Sequence, residues 1–336
     1  MGHNVMTHSV GVSHYQILAK WKVLVKGVES STASEHFDED MGYHGFLLLA
    51  AWTNLMSASQ QHKIIAALHI LPFIDIEAEV AKRVEFLKQS LTTAGAKALV
   101  LGLSGGVDST TAGKLAQMAC DQLNQQHHTQ EYQFVAVRLP YGVQADESDA
   151  QLAMEFIQPS HRMEINIEAM VKGLDLASES LIEWLKPSAN KLDFSRGNNK
   201  ARARMSSQYY VASLLNGLVI GTDHGAEAVT GFFTKHGDGA CDIAPLFGLN
   251  KRQVRSLAAH VGAPDCLVYK VPTADLEENN PQQADEESLG VTYDQIDDYL
   301  EGKVISKEAQ KILEQRYRET EHKRQGPVTL YCDWDV

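Results

Sequence analysis

Residues 98–109 read ALVLGLSGGVDS, an apolar run followed directly by a turn of small and polar residues. A run that is apolar at successive positions suits a strand buried on both faces, as in a parallel sheet. Residues 110–123 then suit a helix. In an open α/β sheet, ligands collect beyond the carboxyl ends of the strands, where a helix N-terminus offers unpaired N–H groups. This order of elements predicts a phosphate-binding site at residues 104–109.

Each residue type in this turn has a chemical role. Gly105 and Gly106 let the backbone approach phosphate oxygens closely, while Ser104 and Ser109 add hydroxyl donors. Asp108 would repel a polyphosphate unless a cation lay between them, so we assign it to Mg²⁺. The alternative is that Asp108 only caps the helix that follows.

The spacing does not fit a Walker A loop. Six residues separate Gly106 from Gly113, and Leu115 stands where that motif requires Ser or Thr. Transfer of the γ-phosphate therefore loses support.

Apolar runs similar to the first recur along the chain and alternate with segments of helical patterning. The predicted strands are Ala98–Leu103, Phe134–Leu139, Met163–Ile167 and Leu218–Ile220, and the segments between them include Asp146–Phe156 and Lys200–Leu215. This alternation predicts an α/β fold with a doubly wound, mostly parallel sheet and helices on both faces. The acidic segment Pro272–Gly290 lacks apolar periodicity, so we expect a loop that could close over a site.

Composition excludes several classes of protein. The chain has 336 residues and a net charge of −13, which argues against wholesale binding to nucleic acid or an anionic membrane. Four cysteines lie far apart without a C-x-x-C pair, so a reducing, cytoplasmic setting fits best. The most apolar stretch, Phe46–Trp52, is much shorter than the roughly 20 residues that span a bilayer.

Residues 1–55 differ from the remainder because they scatter histidines without ligand spacing and lack sustained periodicity. We interpret residues 1–55 as an N-terminal extension of unknown role and residues 56–336 as the working domain.

The turn at residues 104–109 resembles the pyrophosphate-binding loop of N-type ATP pyrophosphatases, which cut ATP between its α and β phosphates. By itself, this loop would also fit other adenylating amidoligases or a tRNA thiolase. Further segments are similar to ammonia-dependent NAD synthetases: RLPYGVQADESDA at 138–150, GNNKARARM at 197–205, GTDHGAEAVTGFFTKHGDGACD at 221–242, LNKRQ at 249–253 and PTADLE at 272–277. The resemblance implies an adenine nucleotide alpha hydrolase-like fold, with ATP and Mg²⁺ used to amidate deamido-NAD.

The resemblance also assigns roles to individual positions. It implies ATP contacts at Gly102, Leu103, Ser104, Gly105, Gly106, Val107, Asp108, Ser109, Arg138, Gln144, Thr222, Lys251 and Thr273. It implies deamido-NAD contacts at Arg202, Lys235, Asp242, His322 and Lys323, and Mg²⁺ ligands at Asp108 and Glu227. We expect catalytic roles for Asp108, Lys251 and Asp238.

Some of these positions have plain structural alternatives. Asp238 is our candidate for holding ammonium and helping to deprotonate it, but an Asp between two glycines also forms turns. Arg196 and Arg204, close to Arg202, could equally belong to a solvated helical face. Residues 322–323 could be a frayed basic terminus.

The resemblance further implies free ammonia as the nitrogen source, since the 55 residues ahead of the domain could not hold a glutamine amidase. It implies a homodimer with deamido-NAD bound across the interface. The alternatives are another N-type ATP pyrophosphatase, such as an adenylating amidoligase or a tRNA thiolase, and a noncatalytic ATP-binding regulator. We expect Asp108→Ala to abolish adenylation and to leave the fold intact.

Overall fold

The computed structural model describes residues 59–142, 146–274, 276 and 283–330. The predictions for residues 1–55 and for Gln144 lie outside this part of the chain. Within it, no helix combines the length and the apolar character that crossing a lipid bilayer requires.

A parallel sheet of four strands forms the centre of the fold. The strands are β1 (Ala98–Gly102), β2 (Gln133–Arg138), β3 (His161–Glu164) and β4 (Gly217–Val219), and they lie in the order β3-β2-β1-β4. From β1 the chain forms β2 and then β3 on one side, and it then returns to form β4 on the other side of β1. This topology confirms the predicted doubly wound α/β fold.

Fourteen helices are assigned in the described residues. They are α1 (Gln60–Ala67), α2 (Ile76–Ala94), α3 (Val107–His127), α4 (Glu147–Ile157), α5 (Glu168–Ala177), α6 (Glu179–Leu185), α7 (Ala189–Leu215), α8 (Gly225–Thr230), α9 (Lys251–His260), α10 (Asp265–Val268), α11 (Asp285–Leu289), α12 (Tyr293–Leu300), α13 (Lys307–Glu319) and α14 (Glu321–Arg324). The short strands β5 (Thr273–Ala274) and β6 (Gln283–Ala284) pair with each other in antiparallel fashion.

Side chains of the central strand alternate between two cores. Leu99 and Leu101 pack with residues of α2, α3 and α9, whereas Val100 packs on the opposite face with residues of α5 and α7. All three are at most 2% exposed, which is why β1 is apolar at every position. Helices therefore cover both faces of the sheet, as predicted.

A third apolar cluster lies apart from the sheet. It joins residues of α1, α8, α12 and α13, including the fully buried Tyr299 and Leu313. This cluster fixes α8 and α12, two elements that bring side chains to the site described below.

The structure corrects three predicted boundaries. Strand β3 begins at His161 rather than at Met163, and all four of its residues are exposed, so the apolar run did not mark it. Helix α7 begins at Ala189, well before the predicted start at Lys200. The prediction of a loop over Pro272–Gly290 is wrong for Asp285–Leu289, which forms helix α11.

Candidate active site

The Gly-rich turn leaves β1 and enters α3 with an internal network of hydrogen bonds. The Ser104 and Ser109 hydroxyls lie 3.1 Å apart, and the Gly106 amide donates to the Ser104 hydroxyl at 3.3 Å. Gly106 occupies the N-cap position of α3 without a side-chain capping bond. The first N–H groups of the helix therefore point beyond the carboxyl end of β1 without a side chain covering them, as a phosphate site requires.

Gly105 has two independent reasons to be glycine. Its φ of 81° lies in the left-handed region, which favours glycine. A Cβ atom at this position would also lie 2.6 Å from the Ala150 amide nitrogen. The turn consequently packs directly against the beginning of α4.

Asp108, in the first turn of α3, forms a buried ion pair with Lys251, the first residue of α9. The Lys251 Nζ atom lies 2.7 Å from Asp108 Oδ2, and Lys251 is only 1% exposed. Two residues that are far apart in sequence thus meet at the edge of the sheet, as expected for two groups serving one nucleotide.

His224 and Glu227 complete this cluster from the N-terminus of α8. His224 Nε2 lies 3.2 Å from Asp108 Oδ1 and 3.9 Å from Glu227 Oε2, while His224 Nδ1 accepts the Ala226 amide. Sequence patterns did not place His224 in the site, yet it is fully buried at the centre of the group. The structure therefore adds it to the site.

Burial and mutual charge shift the titration of these groups in different directions. Burial alone would raise the pKa of Asp108, but the charges of Lys251 and His224 hold that pKa well below its usual range. Burial raises the pKa of Glu227 to about 8, with the Asp108 charge adding to the shift and His224 opposing it. Burial opposes the charge on Lys251, but Asp108 and Glu227 raise the pKa of its amine. Asp108 and Lys251 are accordingly both charged.

The donor set fits a magnesium ion. One atom each of Asp108, His224 and Glu227 lies within 4.8 Å of the others. Asp108 Oδ1 is buried and makes no well-aligned hydrogen bond among the described residues, although His224 Nε2 lies 3.2 Å from it. Carboxylate oxygens suit Mg²⁺, whereas imidazole is a poor ligand for it. Asp108 and Glu227 are therefore the candidate ligands, and His224 lies beside both.

The N-terminus of α9 is satisfied within the protein. Asn250 and Gln253 form a reciprocal capping box, and the Asp297 carboxylate accepts the backbone amides of Lys251 and Arg252 at 3.0 and 2.7 Å. The backbone of Lys251 is thus fixed from α12, which leaves only its side chain to respond to a ligand.

Other predicted ATP-binding residues lie around the same edge, with contacts inside the protein. The Arg138 guanidinium is buried, donates to the Leu103 carbonyl at 3.0 Å and pairs with Glu147. The Gly102 amide donates to the Gln208 side chain at 2.6 Å. Thr222 follows β4, and Thr273 lies in β5. Direct contact of these residues with ATP stays a prediction.

Four of the five predicted deamido-NAD residues come together away from the loop. The Arg202 guanidinium donates to the Lys235 carbonyl at 3.3 Å, and Lys235 Nζ donates to the His322 carbonyl at 2.5 Å. Lys323 Nζ donates to the Gly231 and Phe233 carbonyls. The residues near the C-terminus are thus folded onto residues 231–235.

Asp242 and Asp238 have structural partners of their own. Asp242 Oδ2 accepts the Val219 amide at 2.7 Å, so this carboxylate fixes the end of β4. Asp238 Oδ1 accepts the Thr234 amide at 3.0 Å, as a turn-forming Asp does. Their predicted roles toward deamido-NAD and ammonium stay predictions. The flanking arginines are also engaged, Arg196 with Asp175 and Arg204 with the Leu139 carbonyl.

Sequence patterns missed Asp223. Its Oδ1 atom is buried without a hydrogen bond among the described residues, and burial together with the nearby Asp238 charge raises its pKa to about 7. Asp223 lines a cavity of about 390 Å³ that Phe233 and Lys323 also line. Its position next to His224 could have indicated that Asp223 lies near the site. A carboxylate in a loop is usually solvated, so sequence patterns did not select it.

The sequence profile of the NAD synthase family matches residues 79–327. The chain belongs to the NAD synthase family. An NH(3)-dependent NAD(+) synthetase of Vibrio cholerae is 58% identical over 274 residues, which cover 81% of this chain and 99% of the relative. The corresponding enzyme of Vibrio atlanticus is 59% identical over 267 residues, which cover 79% of this chain and 97% of that relative.

Solved structures agree with this assignment. An NAD+ synthetase from Burkholderia pseudomallei is 44% identical, has a TM-score of 0.68, and the match covers 80% of this chain and 96% of that one. An NMN synthetase from Francisella tularensis is 32% identical with a TM-score of 0.66, and the match covers 77% of this NAD synthase family member and 100% of that chain.

Proposed function

We propose that this chain is an ATP-dependent carbon–nitrogen ligase that converts deamido-NAD and ammonia into NAD, with AMP and pyrophosphate as the other products. The observation that carries the proposal is the meeting of Asp108, Lys251 and Glu227 beside an uncapped, Gly-rich helix N-terminus. That arrangement suits a polyphosphate and its cation. Membership of the NAD synthase family indicates deamido-NAD as the substrate that is activated.

The first step joins the nicotinate carboxylate to the nucleotide. A carboxylate oxygen attacks the α-phosphorus of ATP, the bond between that phosphorus and the bridging oxygen to the β-phosphorus breaks, and pyrophosphate leaves. The amides of residues 104–109 hold the departing diphosphate, and the Lys251 ammonium offsets its growing charge. Asp108 and Glu227 would hold Mg²⁺, which supplies further charge neutralisation on the phosphates.

The second step replaces the AMP group of the mixed anhydride with nitrogen. The lone pair of ammonia attacks the carbonyl carbon of the mixed anhydride, and the bond from that carbon to the AMP oxygen breaks. One oxygen of the original carboxylate therefore leaves in AMP, and the added nitrogen loses a proton. Asp238 is the candidate to accept that proton. The protein mainly positions the two reactants, because AMP is a good leaving group.

The cluster of Arg202, Lys235, His322 and Lys323 is the proposed site for deamido-NAD. Cationic side chains suit the two phosphates of a dinucleotide. The support is that Arg202 donates to the Lys235 carbonyl and Lys235 to the His322 carbonyl, while Lys323 follows His322 in the chain.

Incubation with carboxyl-¹⁸O deamido-NAD, ATP, Mg²⁺ and ammonium tests the whole sequence. We expect NAD, AMP and pyrophosphate in equal amounts, with one ¹⁸O atom transferred to AMP. Unlabelled AMP would contradict attack by the carboxylate. In control reactions, glutamine replaces ammonium, and tRNA or nicotinate mononucleotide replaces deamido-NAD. Each control should give at most a small fraction of the rate with ammonium and deamido-NAD.

We also propose a homodimer. Helices α5, α6 and α7 expose large apolar side chains, among them Leu174, Leu176, Leu181, Trp184, Leu185, Tyr210 and Leu214. Trp184 is 76% exposed. A group of exposed apolar side chains of this kind usually marks a surface that binds another protein. Light scattering should give twice the chain mass, and Trp184→Asp should halve it. A monomeric wild type would contradict the proposal.

A cytoplasmic location and the division at residue 56 also remain proposals. Cell fractionation with an antibody tests the first. A chain that begins at Met56 tests the second, and we expect it to retain full ligase activity.

A further inference from the structure

The surroundings of the Lys251 ammonium extend beyond the groups described so far. Its Nζ atom lies 4.9 Å from the centre of the Tyr293 ring, on the first turn of α12. The Tyr293 hydroxyl donates to Asp285 Oδ2 at 3.0 Å. The ammonium thus contacts Asp108 and also lies close to a ring whose hydroxyl is bonded to a second carboxylate.

Asp285 is an unusual carboxylate to find here. It is only 8% exposed, and its Oδ1 atom is buried without a hydrogen bond among the described residues. Burying a carboxylate with one oxygen unsatisfied costs free energy, so its presence needs a compensating role. Asp285 is not close enough to join Asp108, His224 and Glu227 as a metal ligand. Its charge does act on Lys251, in the direction that favours the ammonium.

If Asp108 binds a metal ion, the Lys251 ammonium needs a further group that stabilises its charge. A cation bound at Asp108 Oδ1 would compete with Lys251 for the charge of that carboxylate, while the Lys251 side chain is only 2% exposed. A buried ammonium whose carboxylate is shared with a cation is destabilised unless other groups also hold it. A ring face attracts a cation without competing for the metal.

We propose that Asp285 and Tyr293 are positioning residues, which hold the Lys251 ammonium beside the phosphate-binding turn when the Asp108 carboxylate is shared with a metal ion. Asp285 fixes the ring through the phenol, and the ring face and the Asp285 charge hold the ammonium. This inference rests on the proposed function, because it assigns Lys251 to the nucleotide phosphates.

The test compares two tyrosines of one helix. Tyr293→Phe keeps the ring but removes its bond to Asp285. Tyr299→Phe is the matched control, because Tyr299 is also buried on α12 and its hydroxyl donates to a carboxylate, Glu314, at 3.3 Å. The probe is α,β-methylene-ATP with Mg²⁺, measured by calorimetry. We expect about fivefold weaker binding for Tyr293→Phe and Asp285→Asn, and no change for Tyr299→Phe.

Kinetic measurements, and the same variant made in a protein that lacks Lys251, distinguish a positioning role from a general loss of structure. We expect kcat of Tyr293→Phe to fall about tenfold while KM for deamido-NAD stays within about twofold. In a Lys251→Met background, Tyr293→Phe should weaken analogue binding no further, because its effect passes through Lys251. An equal loss in both backgrounds would overturn the inference, as would unchanged binding and kcat in Tyr293→Phe and Asp285→Asn. Failure of wild type to form NAD would instead refute the proposed function.

Discussion

Replacing Asp108 with alanine changes both the stability and the chemistry of the protein. The sequence alone led us to expect an intact fold, but the structure shows that Asp108 neutralises Lys251, which is only 1% exposed. Removing one partner of a buried ion pair typically costs about 3–5 kcal/mol. We expect about 3 kcal/mol for Asp108→Ala, at the low end of that range, because the nearby charge of Asp285 still favours the ammonium.

Urea unfolding followed by circular dichroism measures this cost. Asp121→Ala, on an exposed position of the same helix, is the control and should change the free energy of unfolding by less than about 0.5 kcal/mol. Asp108→Ala/Lys251→Met should recover most of the lost stability, since it removes both charges. Pyrophosphate release should fall about a thousandfold in either Asp108 variant. A single variant as stable as wild type, with no gain in the double variant, would refute the reasoning.

Three further predictions concern other parts of the site. Gly105→Ala should lower the free energy of unfolding by about 1–3 kcal/mol, because of its positive φ and the close Ala150 amide, whereas Gly106→Ala should cost less than about 1 kcal/mol. The Glu227 pKa of about 8 lies above its usual value, so unliganded wild type should lose stability as pH rises from about 5 to 8. Glu227→Gln should reduce that loss in pH-dependent melting, leaving the part due to Asp223, and should also weaken Mg²⁺-dependent turnover. An unchanged pH profile would contradict the shift. Burial raises the pKa of the Cys241 thiol to about 11, so iodoacetamide at pH 8 should label exposed Cys266 at least tenfold faster, by mass spectrometry.

The part of the fold that the sequence predicted well is encoded locally. Residues 98–109 combine a buried strand, a turn that needs glycine and the start of a helix, and all three signals lie within one short segment. Strand β3 gave no such signal, because it lies at the edge of the sheet with exposed side chains. Helix α11 was missed because its acidic residues resemble a solvated loop, although Asp285 itself is buried.

The site was predictable to the extent that each residue follows a strand or begins a helix. Asp108, Glu227 and Lys251 satisfy that rule, and the structure brings them together. Tyr293 and Asp285 also begin helices, but sequence patterns placed Asp285 in a loop and predicted no helix at Tyr293. They reach the site through tertiary packing, in which α12 contacts α9. His224 is intermediate, since its position was visible but its complete burial depends on the tertiary fold.

Leaving the N-cap of α3 to glycine places stability and function in opposition. Aspartate is among the best N-cap residues, and a Cβ atom at Gly106 would meet only the Ser104 hydroxyl, at 3.5 Å. Gly106→Asp should therefore give a more stable helix whose own carboxylate occupies the amides, so that the chain inhibits itself in competition with ATP. Helix α3 therefore has no side-chain cap, whereas the N-terminus of α9 is closed by a complete capping box. Because of this difference, α3 rather than α9 can receive an anion.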